Sequence, residues 1–161
     1  MFVNSDFSDL LNLFSAKSVR YLVVGGYAVT QYAEPRYTRD LDVWIATDAL
    51  NATAIFAALK EYGAPLSQLS AKDFSADGYF YQMGNPPARV DVLMGIPGVA
   101  FEDAWARRVE VAYGDLKVSF ISKDDLITAK LASGRPQDLI DVENLGGGKI
   151  STKRRPRSNR T

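Results

Sequence analysis

Five residues in this chain have the types and spacing to do chemistry: Gly25, Gly26, Asp40, Asp42 and Asp91. Asp40 and Asp42 are two apart, so on a strand they project from the same face. Carboxylates held side by side repel unless something positive lies between them, and a divalent metal with hard oxygen ligands is the usual solution. Gly25-Gly26 closes the apolar run YLVV and lets backbone N–H groups approach phosphate oxygens. Asp91 is the third carboxylate, centred on the run ARVDVLM. On a strand, Val90 and Val92 point one way while Arg89, Asp91 and Leu93 point the other. A mid-strand carboxylate among apolar residues is costly unless paired or metal-bound. If that strand lies beside LDVWIA, the three aspartates converge, and three carboxylates holding two divalent ions are machinery for in-line nucleotidyl transfer.

The composition excludes most rival chemistries. The 161 residues contain neither cysteine nor histidine. Disulfides, thiolate or imidazole metal sites, Cys nucleophiles and Ser-His-Asp triads are therefore out. The work falls to carboxylates, Lys, Arg, Tyr or Ser. A hydrophobic fraction of 47% supports a real core. No apolar run approaches the ~20 residues that span a bilayer. The N-terminus MFVNSDFSDLL carries early acids and no basic segment, so no secretory signal and no membrane partner are expected, and a soluble cytoplasmic protein is. Net charge is zero but uneven. Residues 1–148 hold thirteen basic and nineteen acidic residues, a net charge of −6, while 149–161 hold six basic residues and no acid. We expect one domain over 1–148 and a flexible basic tail over 149–161. A mildly acidic body does not look like a broad nucleic-acid surface.

The elements that must position these residues follow from periodicity. Phe7, Leu10, Leu11 and Phe14 predict an amphipathic helix over 6–16. Residues 19–24 read as a strand and about 27–33 as a short helix that Pro35 ends. Residues 41–46 form the next strand, and Thr47 caps a helix over 48–61 with Gly63 near its end. Strands 78–83 and 89–94 flank GNPPA. A short helix spans 99–108, and Gly114-Asp115 marks a tight hairpin. Ser122 caps a helix over 123–133, and Pro136 opens a last helix over 136–145, stopped by Gly146-Gly147-Gly148. The hairpins make a purely parallel sheet unsuitable, so the expected class is α+β: a mixed β-sheet with helices mainly on one face.

At these residues the chain resembles the nucleotidyltransferase superfamily related to DNA polymerase beta. That superfamily carries a strand ending in Gly-Gly or Gly-Ser, a helix, Asp-x-Asp on the next strand and a third Asp on a later one. GGYAV…TRDLDVWI looks like the bacterial abortive-infection, type IV toxin-like branch. KLASGRPQDLIDVENL is similar to it too, with a helix lysine before Arg-x-x-Asp-x-x-Asp, here Lys130, Arg135, Asp138 and Asp141. The resemblance covers roughly 19–145. It implies transfer of a nucleoside monophosphate from an NTP to an acceptor hydroxyl with Mg2+, or Mn2+ in its place, releasing pyrophosphate. Asp40 and Asp42 would bind both metals, and Asp91 the catalytic metal while helping to deprotonate the acceptor. Gly25 and Gly26 would grip the triphosphate and Lys130 would touch a β- or γ-phosphate. Gly26 departs from the serine of many relatives, so a hydroxyl contact is lost. The favoured acceptor is tRNA or another RNA, with a cognate antitoxin or partner protein; protein- and antibiotic-directed transfer are alternatives, and a non-catalytic interaction module is the rival class.

Beside these stand the structural readings. Thr38 and Arg39 contact nucleotide or form a loop salt bridge. Asp91 pairs with Arg89 if it is structural, and Arg135, Asp138 and Asp141 form an ion network. Tyr27 stacks on a base or packs half-buried, and Trp44 and Trp105 read as core.

Overall fold

The structure is a computed structural model that describes residues 5–35, 38, 40–85 and 88–146. The expected tail over 149–161, Arg39 and the glycines after Gly146 lie outside the described residues. The chain begins with α1 (Ser5–Ala16), β1 (Tyr21–Val24), α2 (Gly25–Tyr32), β2 (Leu41–Ile45) and α3 (Ala49–Tyr62). A 3₁₀ turn over Ala71–Ser75 precedes β3 (Phe80–Met83) and β4 (Val90–Leu93). Then come α4 (Phe101–Ala106), β5 (Val109–Tyr113), β6 (Leu116–Phe120), α5 (Lys123–Ser133) and α6 (Pro136–Asn144).

The six strands form one sheet in the order β3-β4-β2-β1-β6-β5. β2 runs parallel to β4 and β1 parallel to β6, while the β1–β2, β3–β4 and β5–β6 pairs are antiparallel. The expected α+β class with a mixed sheet is what the protein has. One face is covered over its centre by α1, α3 and the 3₁₀ turn. Phe7, Leu10, Leu11 and Phe14 of α1 are all buried, as their helical spacing requires. Phe14 packs on Tyr21 of β1 at 5.3 Å, and Phe74 of the 3₁₀ turn packs on Tyr81 of β3 at 5.6 Å. α3 joins this layer through Ile55 and Leu59. Tyr81 pairs with Val92 of β4, so the two share that face with Val43 of β2.

The opposite face carries the aspartates. Asp42 and Trp44 share it on β2, and Asp91 and Leu93 on β4. α4 shuts one end of it, with Phe101 edge-on to the buried Trp44 at 5.1 Å. Trp105 is only partly buried, lying under the Arg108 guanidinium at 3.9 Å. Two local expectations shift. α2 begins at Gly25, not at Tyr27, so the glycines are the first residues of the helix. The α3 cap is Asp48, not Thr47: the Asp48 side chain accepts from the Asn51 N–H, and the helix starts one residue later.

Candidate active site

β2 and β4 are adjacent and in register, with Asp42 directly beside Asp91. Two carboxylates on neighbouring parallel strands and on one face are forced together by the sheet itself. β1 brings the third participant. Val24 pairs with Asp42, and the chain turns at Val24 straight into α2, so the N-terminus of that helix abuts the Asp42 carboxylate. Gly25 is required there for two reasons. Its φ is +69°, in the left-handed region, and a Cβ on it would collide with Asp42 Oδ2. Asp40 stands just before β2. Its Oδ1 is buried with no hydrogen-bond partner, and its Oδ2 lies 3.7 Å from Arg89 Nε.

Arg89 straddles the cluster. It donates to both Asp91 oxygens, Nε to Oδ1 and Nη2 to Oδ2, each at 3.4 Å. Gln82 faces Asp91 across the β3–β4 register, and its Nε2 donates to Asp91 Oδ1 at 2.9 Å. The expected pairing of Asp91 with Arg89 is therefore present together with the expected convergence of carboxylates. Burial, and then the charges of Asp91 and Asp40, push the Asp42 carboxyl up to about 7, with Arg89 only partly offsetting them. Among the described residues no group of three or more acidic side chains is arranged as a cage for a metal ion. Asp40 and Asp91 turn instead toward Arg89. An unpartnered buried oxygen on Asp40 and a proton-retaining Asp42 are nonetheless what a hard cation would relieve.

A cavity of about 330 Å³ opens beside this cluster, lined among others by Gly25, Asp42, Leu93, Lys130, Arg135 and Asp138. α5 and α6 supply its far wall. Lys130 is buried, with Nζ 3.3 Å from Asp138 Oδ1 and 2.9 Å from Asp141 Oδ2. Burial alone would raise the Asp138 pKa. The Arg135 guanidinium at 2.7 Å, with Ser133 and Lys130, outweighs that and holds the carboxyl well below its usual range. Arg135, Asp138 and Asp141 thus form the expected ion network, and Lys130 belongs to it while also facing the cavity.

The structure groups Asp40, Asp42 and Asp91 around Arg89 with Gly25 against Asp42, and Lys130 faces Gly25 and Asp42 across a cavity that Asp40 and Asp91 do not line. Gly26 is buried inside α2, where its carbonyl accepts from Thr30 Oγ1 at 3.0 Å. Thr38 is half-buried and does not line the cavity. Tyr27 is half-buried and packs edge-on against Phe7 at 5.7 Å, which matches its packing reading. Gln82 went unnoticed in the sequence. The available signal was its alternation with Tyr81 on a strand expected to pair with 89–94.

Residues 5–146 match the model of a family described as nucleotidyltransferase of unknown function (DUF6036), and the chain belongs to that family. No curated protein matches the sequence. Among solved structures, the lincomycin-bound crystal structure of the lincosamide antibiotic adenylyltransferase LnuA aligns with a TM-score of 0.56. The alignment covers 89% of this chain and 96% of that chain at 19% identity, a likeness of fold. A nucleotidyltransferase family is thus what the sequence resemblance implied, and the fold agrees with it.

Proposed function

We propose that this protein transfers a nucleoside monophosphate from an NTP to an acceptor hydroxyl and releases pyrophosphate. The observation that carries the reading is the register of Asp42 beside Asp91, with the glycine start of α2 packed against Asp42. Asp40, Asp42 and Asp91 would hold Mg2+, or Mn2+ in its place. When bound, such ions supply charge neutralisation at the triphosphate and lower the pKa of an attacking hydroxyl. Asp91, steadied by Gln82, accepts the proton of the acceptor hydroxyl. The free N–H groups at the start of α2 face the polyphosphate. Lys130 and Arg135 line the cavity in which it lies, and Lys130 contacts a β- or γ-phosphate.

The acceptor we infer is a small hydroxylated molecule. The net charge of −6 over residues 1–148 does not suit a broad surface for a nucleic acid. The lincosamide adenylyltransferase also shows that a fold of this extent can serve such an acceptor in another protein. A second reading, an RNA hydroxyl with a toxin-like role and an antitoxin partner, draws on the six basic residues of the tail and the late Lys/Arg/Asp pattern.

The test is incubation with NTPs labelled at the α-phosphate, Mg2+ and panels of small-molecule and RNA acceptors. Asp42→Ala should lower transfer at least about 100-fold, in the range expected for lost electrostatic stabilisation of a transition state. Activity unchanged in a folded Asp42→Ala protein rules the proposal out.

A further inference from the structure

The carboxylate cluster already contains a cation of its own, and its contacts are longer than those by which Arg107 and Arg135 hold buried carboxylates elsewhere among the described residues. Arg107 grips the buried Asp125 in a fork at 3.0 and 2.9 Å, and Arg135 reaches the buried Asp138 at 2.7 Å. These are the short distances of well-formed charge-assisted hydrogen bonds. Arg89 approaches Asp91 only to 3.4 Å with either nitrogen, and Asp40 only to 3.7 Å. The two bonds to Asp91 are therefore a long fork, beyond the usual N–H···O range, and the approach to Asp40 is an ion pair without a hydrogen bond.

Two further observations point the same way. The Arg89 side chain is 35% exposed, so its long stem can swing into solvent without opening the core. It also leaves the cluster incompletely satisfied, because Asp40 Oδ1 stays buried without a partner. A guanidinium donates only in its own plane, whereas a divalent ion takes oxygens from several directions.

We propose that Arg89 is a place-holding cation: it compensates Asp40, Asp42 and Asp91 when no divalent ion is bound, and it must withdraw for one to enter. The inference rests on the metal-binding role given above to those three aspartates. Arg89 and the metal compete for the same oxygens, so losing the guanidinium strengthens metal binding and weakens the metal-free fold. An arginine with a purely structural role behaves oppositely. Its loss would scatter the carboxylates and weaken metal binding.

The experiment is a Mn2+ titration without nucleotide, read from the free-ion paramagnetic resonance signal, on wild type, Arg89→Gln and Arg89→Lys. Thermal unfolding in EDTA accompanies it. Arg89→Gln should bind Mn2+ about tenfold more tightly than wild type, as expected when one competing charge is removed a few ångströms away. Its Tm in EDTA should fall by a few degrees and recover with Mn2+. Arg89→Lys, which keeps the charge on a shorter group, should lie between and serves if the glutamine variant misfolds. Mn2+ affinity equal to or below wild type in either folded variant overturns the inference and leaves the nucleotidyltransferase reading standing. Failure of all three proteins to bind millimolar Mn2+, even with ATP present, overturns the metal-binding reading and this inference with it.

Discussion

Asp42 is the residue on which the chemistry and the stability of this protein pull in opposite directions. It is largely withdrawn from water beside Asp91, with its carboxyl pushed up to about 7 by burial first and by neighbouring charge second. A carboxyl whose pKa is raised on folding favours the folded state below its unfolded value, near 4, and loses that contribution as pH rises through about 7. Without metal, then, wild type should lose stability between about pH 4 and pH 7 relative to Asp42→Asn, whose side chain does not titrate. Above pH 7 the variant should be more stable by about 2–4 kcal/mol, since each tenfold change in proton affinity is worth about 1.4 kcal/mol. Thermal unfolding in EDTA across that pH range checks this, and a difference independent of pH would count against it. Asp138 has the opposite sign. Burial works against its charge, but Arg135 and its other partners keep its pKa depressed, so its contribution is present above the unfolded pKa and disappears as acid protonates it. Asp138→Asn should therefore destabilise at neutral pH, by about 1–3 kcal/mol for a buried charged network left short of one partner, and progressively less in acid, as pH falls from the unfolded value near 4 toward the depressed folded one. Urea unfolding at neutral and acidic pH measures it. At this scale the aspartates were legible because their types and spacing are unusual. The pairing of Arg89 with Asp91 was legible too, from their spacing on one strand; the reach of Arg89 to Asp40 and the support from Gln82 were not. They depend on which side chains the β3–β4 and β2–β4 registers place opposite one another.

Among the elements, α2 and its first residue matter most, because the strand-to-helix turn presses backbone against the site. Gly25→Ala meets both a positive φ and the Asp42 carboxylate. It should cost at least about 1–2 kcal/mol for the backbone alone and abolish most transfer by displacing Asp42. Gly63→Ala is the control. Its φ of +95° carries a similar backbone cost at the end of α3, but the space around it is open and the site is remote. It should lower Tm modestly and leave transfer rates intact. A Gly25→Ala protein with normal kinetics would contradict the close packing of this turn on Asp42. Most elements could be read from the sequence because their signals are local: the buried stripe of α1, Ser122 capping α5 by accepting from Asp125 N–H, and Gly114-Asp115 joining β5 to β6. Ends were less certain where two cap-forming residues adjoin. Thr47-Asp48 offers two oxygens in succession, and the longer reach to Asn51 N–H falls to Asp48.

For the molecule as a whole, the sheet order is what assembles the site, since residues about fifty positions apart become neighbours only through the parallel β2–β4 pairing. That pairing was conditional in the sequence, because nothing local to either strand specifies its neighbour. The charge distribution then bears on the acceptor. Ending the chain at residue 148 should leave transfer to a small hydroxylated acceptor within about twofold. If RNA is the acceptor, the same truncation should weaken RNA binding and flatten its salt dependence, which filter binding at several salt concentrations would reveal. The measurement that bears most directly on the central claim follows the two ends of the triphosphate separately. With Mg2+ and an acceptor, label at the α-phosphate of the NTP should appear in the acceptor, label at the γ-phosphate should leave in pyrophosphate, and both should vanish together in Asp42→Ala and Asp91→Ala. Label from the γ-phosphate in the acceptor, or α-label transfer undiminished in either variant, would contradict the assignment of this site to nucleotidyl transfer.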